Sequence, residues 1–161
     1  MTRTRTRTLA LVAGLLCGTP VHADEPVQLD PFAQATSGYA ACPTVQPPLL
    51  AAEDARREAH VRVERGLRCA MEGTCEPGGA YKRDPEINQQ VRDAIAHDPR
   101  FANTSVWITT TRKWVTLQGC VHSTAQRHLL ARFVKAQPKV EKVFDELSVV
   151  TRKRQARSGA G

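Results

Sequence analysis

The side chains with most chemistry to offer are Cys42, Cys69, Cys75 and Cys120, the tryptophans Trp107 and Trp114, and the basic run Arg152, Lys153, Arg154 and Arg157. No two of these cysteines form a CxxC. Neither a dithiol redox centre nor the close ligand pair of a structural zinc site is therefore spelled out. Two disulfides are expected instead. Cys69 and Cys75 enclose a short, glycine-containing stretch at a helix end and can meet through a local turn, which leaves Cys42 for Cys120. Closing that longer loop contributes about 4–5 kcal/mol in the chain-entropy treatment. The alternative joins Cys69 to Cys120 and Cys42 to Cys75, clamping the helix end to the second half of the chain.

The histidines His22, His60, His97, His122 and His128 include no HExxH, no i, i+4 pair and no CxxCH. They read as solvated residues. Ser123 stands in no GxSxG turn, no glycine-rich phosphate loop is present, and the carboxylates are scattered. No catalytic residue, metal ligand or cofactor site is assigned, and the chain is not expected to be an enzyme. A length of 161 residues with 5% aromatics suits one small domain with extensions better than a large enclosed active site.

The net charge of +7 comes from the two ends. Residues 1–23 carry Arg3, Arg5 and Arg7 without an acid, and residues 151–161 carry the four-residue basic run without an acid. Between them basic and acidic side chains balance, so no basic face for nucleic acid is indicated. Residues 1–23 also have the parts of a secretory signal: the arginines, an apolar stretch Leu9–Cys17, and Val21-His22-Ala23 before the expected cleavage point. Leu16 is too large to precede a lipidated Cys17. Export places a chain starting at Asp24 in the periplasm, where disulfides persist. No other stretch is long and apolar enough to span a membrane. The basic tail can dock on anionic lipid at about 1 kcal/mol per charge, and reads equally as a solvated tail.

Residues 24–48 contain Pro26, Pro31, Pro43, Pro47 and Pro48 and no periodicity, so they are expected to be extended or unstructured apart from a tether at Cys42. In 49–83, a small-residue stripe (Ala52, Ala55, Ala59, Val63, Gly66, Ala70) predicts a helix over 49–70, ended by Gly73 and Pro77-Gly78-Gly79. Asp84-Pro85 reads as a helix cap, Ile87, Val91, Ala94 and Ile95 as the apolar stripe, and Asp98-Pro99 as the stop. Alternating strands follow over Thr104–Thr111 and Trp114–Val121, joined by Arg112-Lys113. Ser123 with Gln126 opens a helix that Pro138 closes, and 143–150 is a third strand. Alternation puts Trp107 and Trp114 on one sheet face with Thr109, Thr116 and Cys120, opposite the helices. That face is either an aromatic platform for a headgroup, glycan or partner, or is covered by helix 49–70. The stripe, the rings and Cys120 converge on one side, so the covered arrangement is expected.

The segment 84–150 resembles the BON domain of bacterial osmotic-stress and nodulation proteins. The likeness runs through Ile87, Val91, Ala94-Ile95 and Asp98-Pro99, then Val106-Trp107-Ile108 and Val115-Thr116-Leu117-Gln118-Gly119-Cys120-Val121. It continues at Gln126-Arg127, Pro138-Lys139-Val140-Glu141-Lys142-Val143 and Leu147-Ser148-Val149. Arg112-Lys113 stands where the family favours an Asn-Gly-like turn, and Lys139 where it usually has Gly. The resemblance implies an α+β fold of order α-β-β-α-β, two helices on one face of a three-stranded mixed sheet, here with an N-terminal helical extension. It implies no catalytic residues and no cofactor. The function it implies is periplasmic, non-enzymatic binding at an anionic phospholipid surface; the alternative is an adaptor to an envelope protein assembly.

Overall fold

The computed structural model describes residues 25–150. The signal reading over 1–23, its cleavage point, and the tail residues Arg152, Lys153, Arg154 and Arg157 lie outside the described residues. In chain order the elements are β1 (Val27–Gln28), β2 (Phe32–Ser37), β3 (Leu49–Leu50), α1 (Ala52–Met71), α2 (Asp84–His97), a 3-10 turn (Pro99–Phe101), β4 (Ser105–Thr111), β5 (Trp114–Val121), α3 (Thr124–Lys135) and β6 (Lys142–Val149).

The main sheet has the order β2-β4-β5-β6; β5 and β6 run parallel and the other pairs antiparallel. This is an α+β fold with a mixed sheet. The apolar stripes of α2 (Ile87, Val91, Ile95) and α3 (Leu130, Val134) bury themselves completely against Val106, Ile108, Val115, Leu117 and Val121. Each such side chain contributes about 1.5–3 kcal/mol of transfer free energy, so the core sits between the sheet and these two helices. The Ser123 hydroxyl accepts from the Gln126 N–H, and the Gln126 side-chain oxygen accepts from the His122 N–H, tying the start of α3 to the end of β5.

Residues 25–48 of this leader do more than trail. They supply β2, a fourth strand beyond the three that the sequence pattern indicates. It pairs antiparallel with β4 from Phe32↔Thr109 to Ser37↔Ser105, with a register shift between Gln34 and Thr36. Ala35 joins the core, and the Thr36 and Thr104 hydroxyls meet at 2.8 Å. Prolines at 31 and 43 bracket the strand, and its only strong strand formers are Phe32 and Thr36, which is why local pattern alone misses it.

Asp84 does not cap α2 as expected. The helix starts at Asp84 itself, behind Arg83, without a side-chain cap. The buried carboxylate instead accepts from the backbone N–H groups of Arg112 and Lys113, both at 2.7 Å. Those two residues take positive φ of 55° and 63°, the two-residue turn that normally asks for Asn-Gly. Lys139, the other departure from the family pattern, also has positive φ, and its Nζ pairs with Glu86 at 2.6 Å.

Helix α1 buries only Ala52, Ala55 and Gly66 of its expected stripe. Ala59 is exposed and Val63 is 61% exposed, as are Leu67 at 63% and Met71 at 88%. The helix docks by other means. Gly66 faces Gly79 so closely that a Cβ on Gly79 would lie 2.8 Å from the Gly66 Cα. Arg62 donates to Asp30 at 2.8 and 3.2 Å and to Glu58 at 3.0 Å, and its guanidinium lies 4.4 Å from the centre of the Tyr81 ring.

Cys42 is bonded to Cys120 and Cys69 to Cys75, with Cα separations of 5.8 and 5.3 Å. The first bond fixes the leader to β5. Nearby, the Tyr39 N–H donates to the Ser105 hydroxyl, which donates back to the Tyr39 carbonyl. The leader, not α1, therefore crosses the outer sheet face at its Ser105–Cys120 end.

Candidate functional site

Trp107 and Trp114 do share the outer face, but they are not cross-strand neighbours. Trp107 pairs with Gln118 and Trp114 with Thr111, so the Thr109–Thr116 pair lies between them. Trp107 is 6% exposed. Its ring lies over Gly119, where a Cβ would sit 3.1 Å from the indole and 2.1 Å from the Ser105 carbonyl oxygen. Gly119 holds φ at 118°, a conformation that only glycine adopts without strain. Trp107 is thus a packing residue and is not available to a ligand.

Trp114 is half-buried, at the hairpin end of the sheet. The parallel register sets Trp114 beside Lys142 and Thr116 beside Phe144, so both β6 side chains come onto this face. The Trp114 and Phe144 rings meet edge-on with centroids 5.9 Å apart. Arg112 lies 4.9 Å from the centre of the Trp114 ring, and Lys142 Nζ lies 4.5 Å from that of Phe144 and 5.5 Å from that of Trp114. Two aromatic faces and two cations form one ridge. Such a ridge suits a boundary that is apolar on one side and anionic on the other, because the rings bury while the cations meet charge.

Phe144, Lys142 and Arg112 are not among the binding residues that the sequence indicates. Strand alternation over 143–150 places Phe144 opposite Val143 and Leu147, which was the available signal. That Lys142 stands beside Trp114 depends on the parallel pairing and is not readable locally.

The perturbed ionisable groups are held in structural contacts. Burial is the largest influence on Asp84 and raises its carboxyl above the usual range, despite two backbone donors that pull the other way. Hydrogen bonds from Arg83 lower Glu76, and those from Lys139 and then Arg83 lower Glu86. The Arg100 side chain holds Asp98 low. His122 Nε2 contacts the Asn103 carbonyl at 2.8 Å, and His97 Nδ1 contacts that of Asp93 at 2.7 Å. Among the described residues no three His, Cys, Asp or Glu side chains are grouped to hold a metal ion, and no helix is long and apolar enough to cross a membrane.

Sheet, helices and ridge together define a small α+β domain with a cationic–aromatic edge. The family model of the BON domain matches residues 83–151, so that segment is similar to the BON domain. No curated protein sequence matches the chain.

Proposed function

We propose that this is a periplasmic, non-enzymatic envelope protein that binds anionic phospholipid surfaces through the Trp114–Phe144 ridge. The BON domain supports an envelope and phospholipid association, and the two disulfides fit an oxidising compartment. The observation that carries the reading is the pairing of half-exposed rings with Arg112 and Lys142 on one edge. Arg152, Lys153, Arg154 and Arg157 add four charges after β6, each contributing about 1 kcal/mol near an anionic surface. Flotation with phosphatidylglycerol-containing vesicles tests this. Association that weakens as salt rises is the expected result, and recovery of all protein in the vesicle-free fraction at low salt opposes it.

A second reading, an adaptor in an envelope protein assembly, is favoured by the exposed edge Val63, Leu67 and Met71 of α1. It expects no vesicle association, and binding to a protein partner that Leu67→Glu abolishes.

A further inference from the structure

Between the last turns of α1, the Cys69–Cys75 loop, the Gly79–Tyr81 turn and the β4–β5 hairpin lies a cavity of about 340 Å³. Its walls are held from several directions. The disulfide closes the loop, the Gly66–Gly79 approach seats the turn on α1, and Asp84 fixes the hairpin. The cavity is thus preorganised rather than assembled by its ligand, which lowers the entropy lost on binding.

The charges lining it are unequally satisfied. Glu76 is engaged by Arg83 at 2.9 Å and Glu141 by Lys113 at 3.1 Å. Arg65 and Arg68 line the cavity with no ion pair among the described residues, and the Arg112 side chain is engaged through the Trp114 ring alone among them. Three arginines from two separate segments thus line one space, none of them in an ion pair among the described residues. Glu72 is the one lining carboxylate that also lacks a basic partner among the described residues. With Glu72 these unpaired groups net two positive charges, which suits a single phosphate group better than a polyanion. Guanidinium forks match phosphate oxygens in pairs, and their charge persists at any physiological pH.

We infer that this cavity is a phosphate-binding site in which Arg65, Arg68 and Arg112 hold the phosphate of a monoester or diester against Trp114. The site needs α1 and the Cys69–Cys75 loop, so it belongs to the extension as much as to the BON segment. The inference rests on the phospholipid reading only for where the phosphate comes from: a lipid headgroup or a soluble phosphoester.

The experiment uses the oxidised chain and inorganic phosphate, followed by Trp114 fluorescence and by calorimetry. A saturable response is expected. The double variant Arg65→Gln/Arg68→Gln alters exposed side chains outside the core and should keep its circular dichroism while binding at least about ten-fold more weakly. No saturable response in the unaltered chain, or equal affinity in the folded double variant, overturns the site. Phosphatidylglycerol vesicles separate the sources. If they displace bound phosphate, the site takes lipid headgroups. If phosphate binds while vesicles neither bind nor compete, the site stands for a soluble phosphoester and the phospholipid reading fails. Vesicle binding that survives intact in the double variant, without any phosphate response, removes the site and leaves that reading in place.

Discussion

The Asp84 carboxylate accepts the Lys113 N–H at 2.7 Å through one oxygen while the other accepts the Arg112 N–H at the same distance. One buried side chain at the start of α2 thereby sets the hairpin from which Arg112 and Trp114 project. Two residues with large Cβ substituents can then occupy a left-handed turn without Asn or Gly, because the turn's N–H groups have a fixed acceptor.

Asp84→Ala leaves both donors without that acceptor and should destabilise the fold by roughly 2–4 kcal/mol in urea melts. The pH dependence has a definite sign. The native carboxyl binds its proton more tightly than the unfolded one, so its contribution is complete below the unfolded value and declines as pH rises through the native value. The stability of the unaltered chain relative to Asp84→Asn should therefore fall with rising pH across the carboxylate range. A relative gain across that range contradicts the assignment.

Gly119→Ala should be among the most damaging single substitutions. Its Cβ would overlap the Ser105 carbonyl oxygen and crowd the Trp107 ring at a φ that alanine resists. A loss of about 3 kcal/mol or more is expected, together with a red shift of tryptophan emission as Trp107 loses its packing.

The tryptophans should separate cleanly. Trp107→Ala empties a buried site and should destabilise by about 3–5 kcal/mol. Trp114→Ala should reduce stability by less than about 1.5 kcal/mol, because its ring is half in solvent already. Equal losses in thermal and urea melts would contradict the assigned burial.

Opening Cys42–Cys120, which spans 78 positions, should destabilise by about 4–5 kcal/mol, against about 2 kcal/mol for Cys69–Cys75, which spans 6. Paired cysteine-to-serine variants measured in urea check the ranking, and non-reducing peptide mapping checks the pairs themselves.

What the sequence made legible was local. The Ile87–Val91–Ile95 spacing and the alternation through Val115 and Leu117 placed α2, β5 and their core-facing sides. Three features depend on distant partners and carried no local signal. Strand β2 is ordered by β4, some 70 positions along the chain. The Arg62–Asp30 pair that docks α1 joins residues 32 apart. Alternation placed both tryptophans on one face, yet it cannot tell that Trp107 is packed away over Gly119 while Trp114 stays half-buried. The small-residue stripe of α1 misled because alanine and glycine fit either a buried or an open face; here Arg62, Gly66 and Gly79 set the docking.

The central claim is that Trp114 meets an anionic bilayer, and a single-tryptophan chain tests it most directly. In Trp107→Phe, which keeps an aromatic ring over Gly119, all tryptophan emission comes from Trp114. Adding phosphatidylglycerol vesicles should shift that emission to the blue, and brominated lipid should quench it. Lys142→Gln should weaken both responses, and added salt should reverse them. Emission unchanged by anionic vesicles and unquenched by brominated lipid, in a chain that remains folded, would contradict the account.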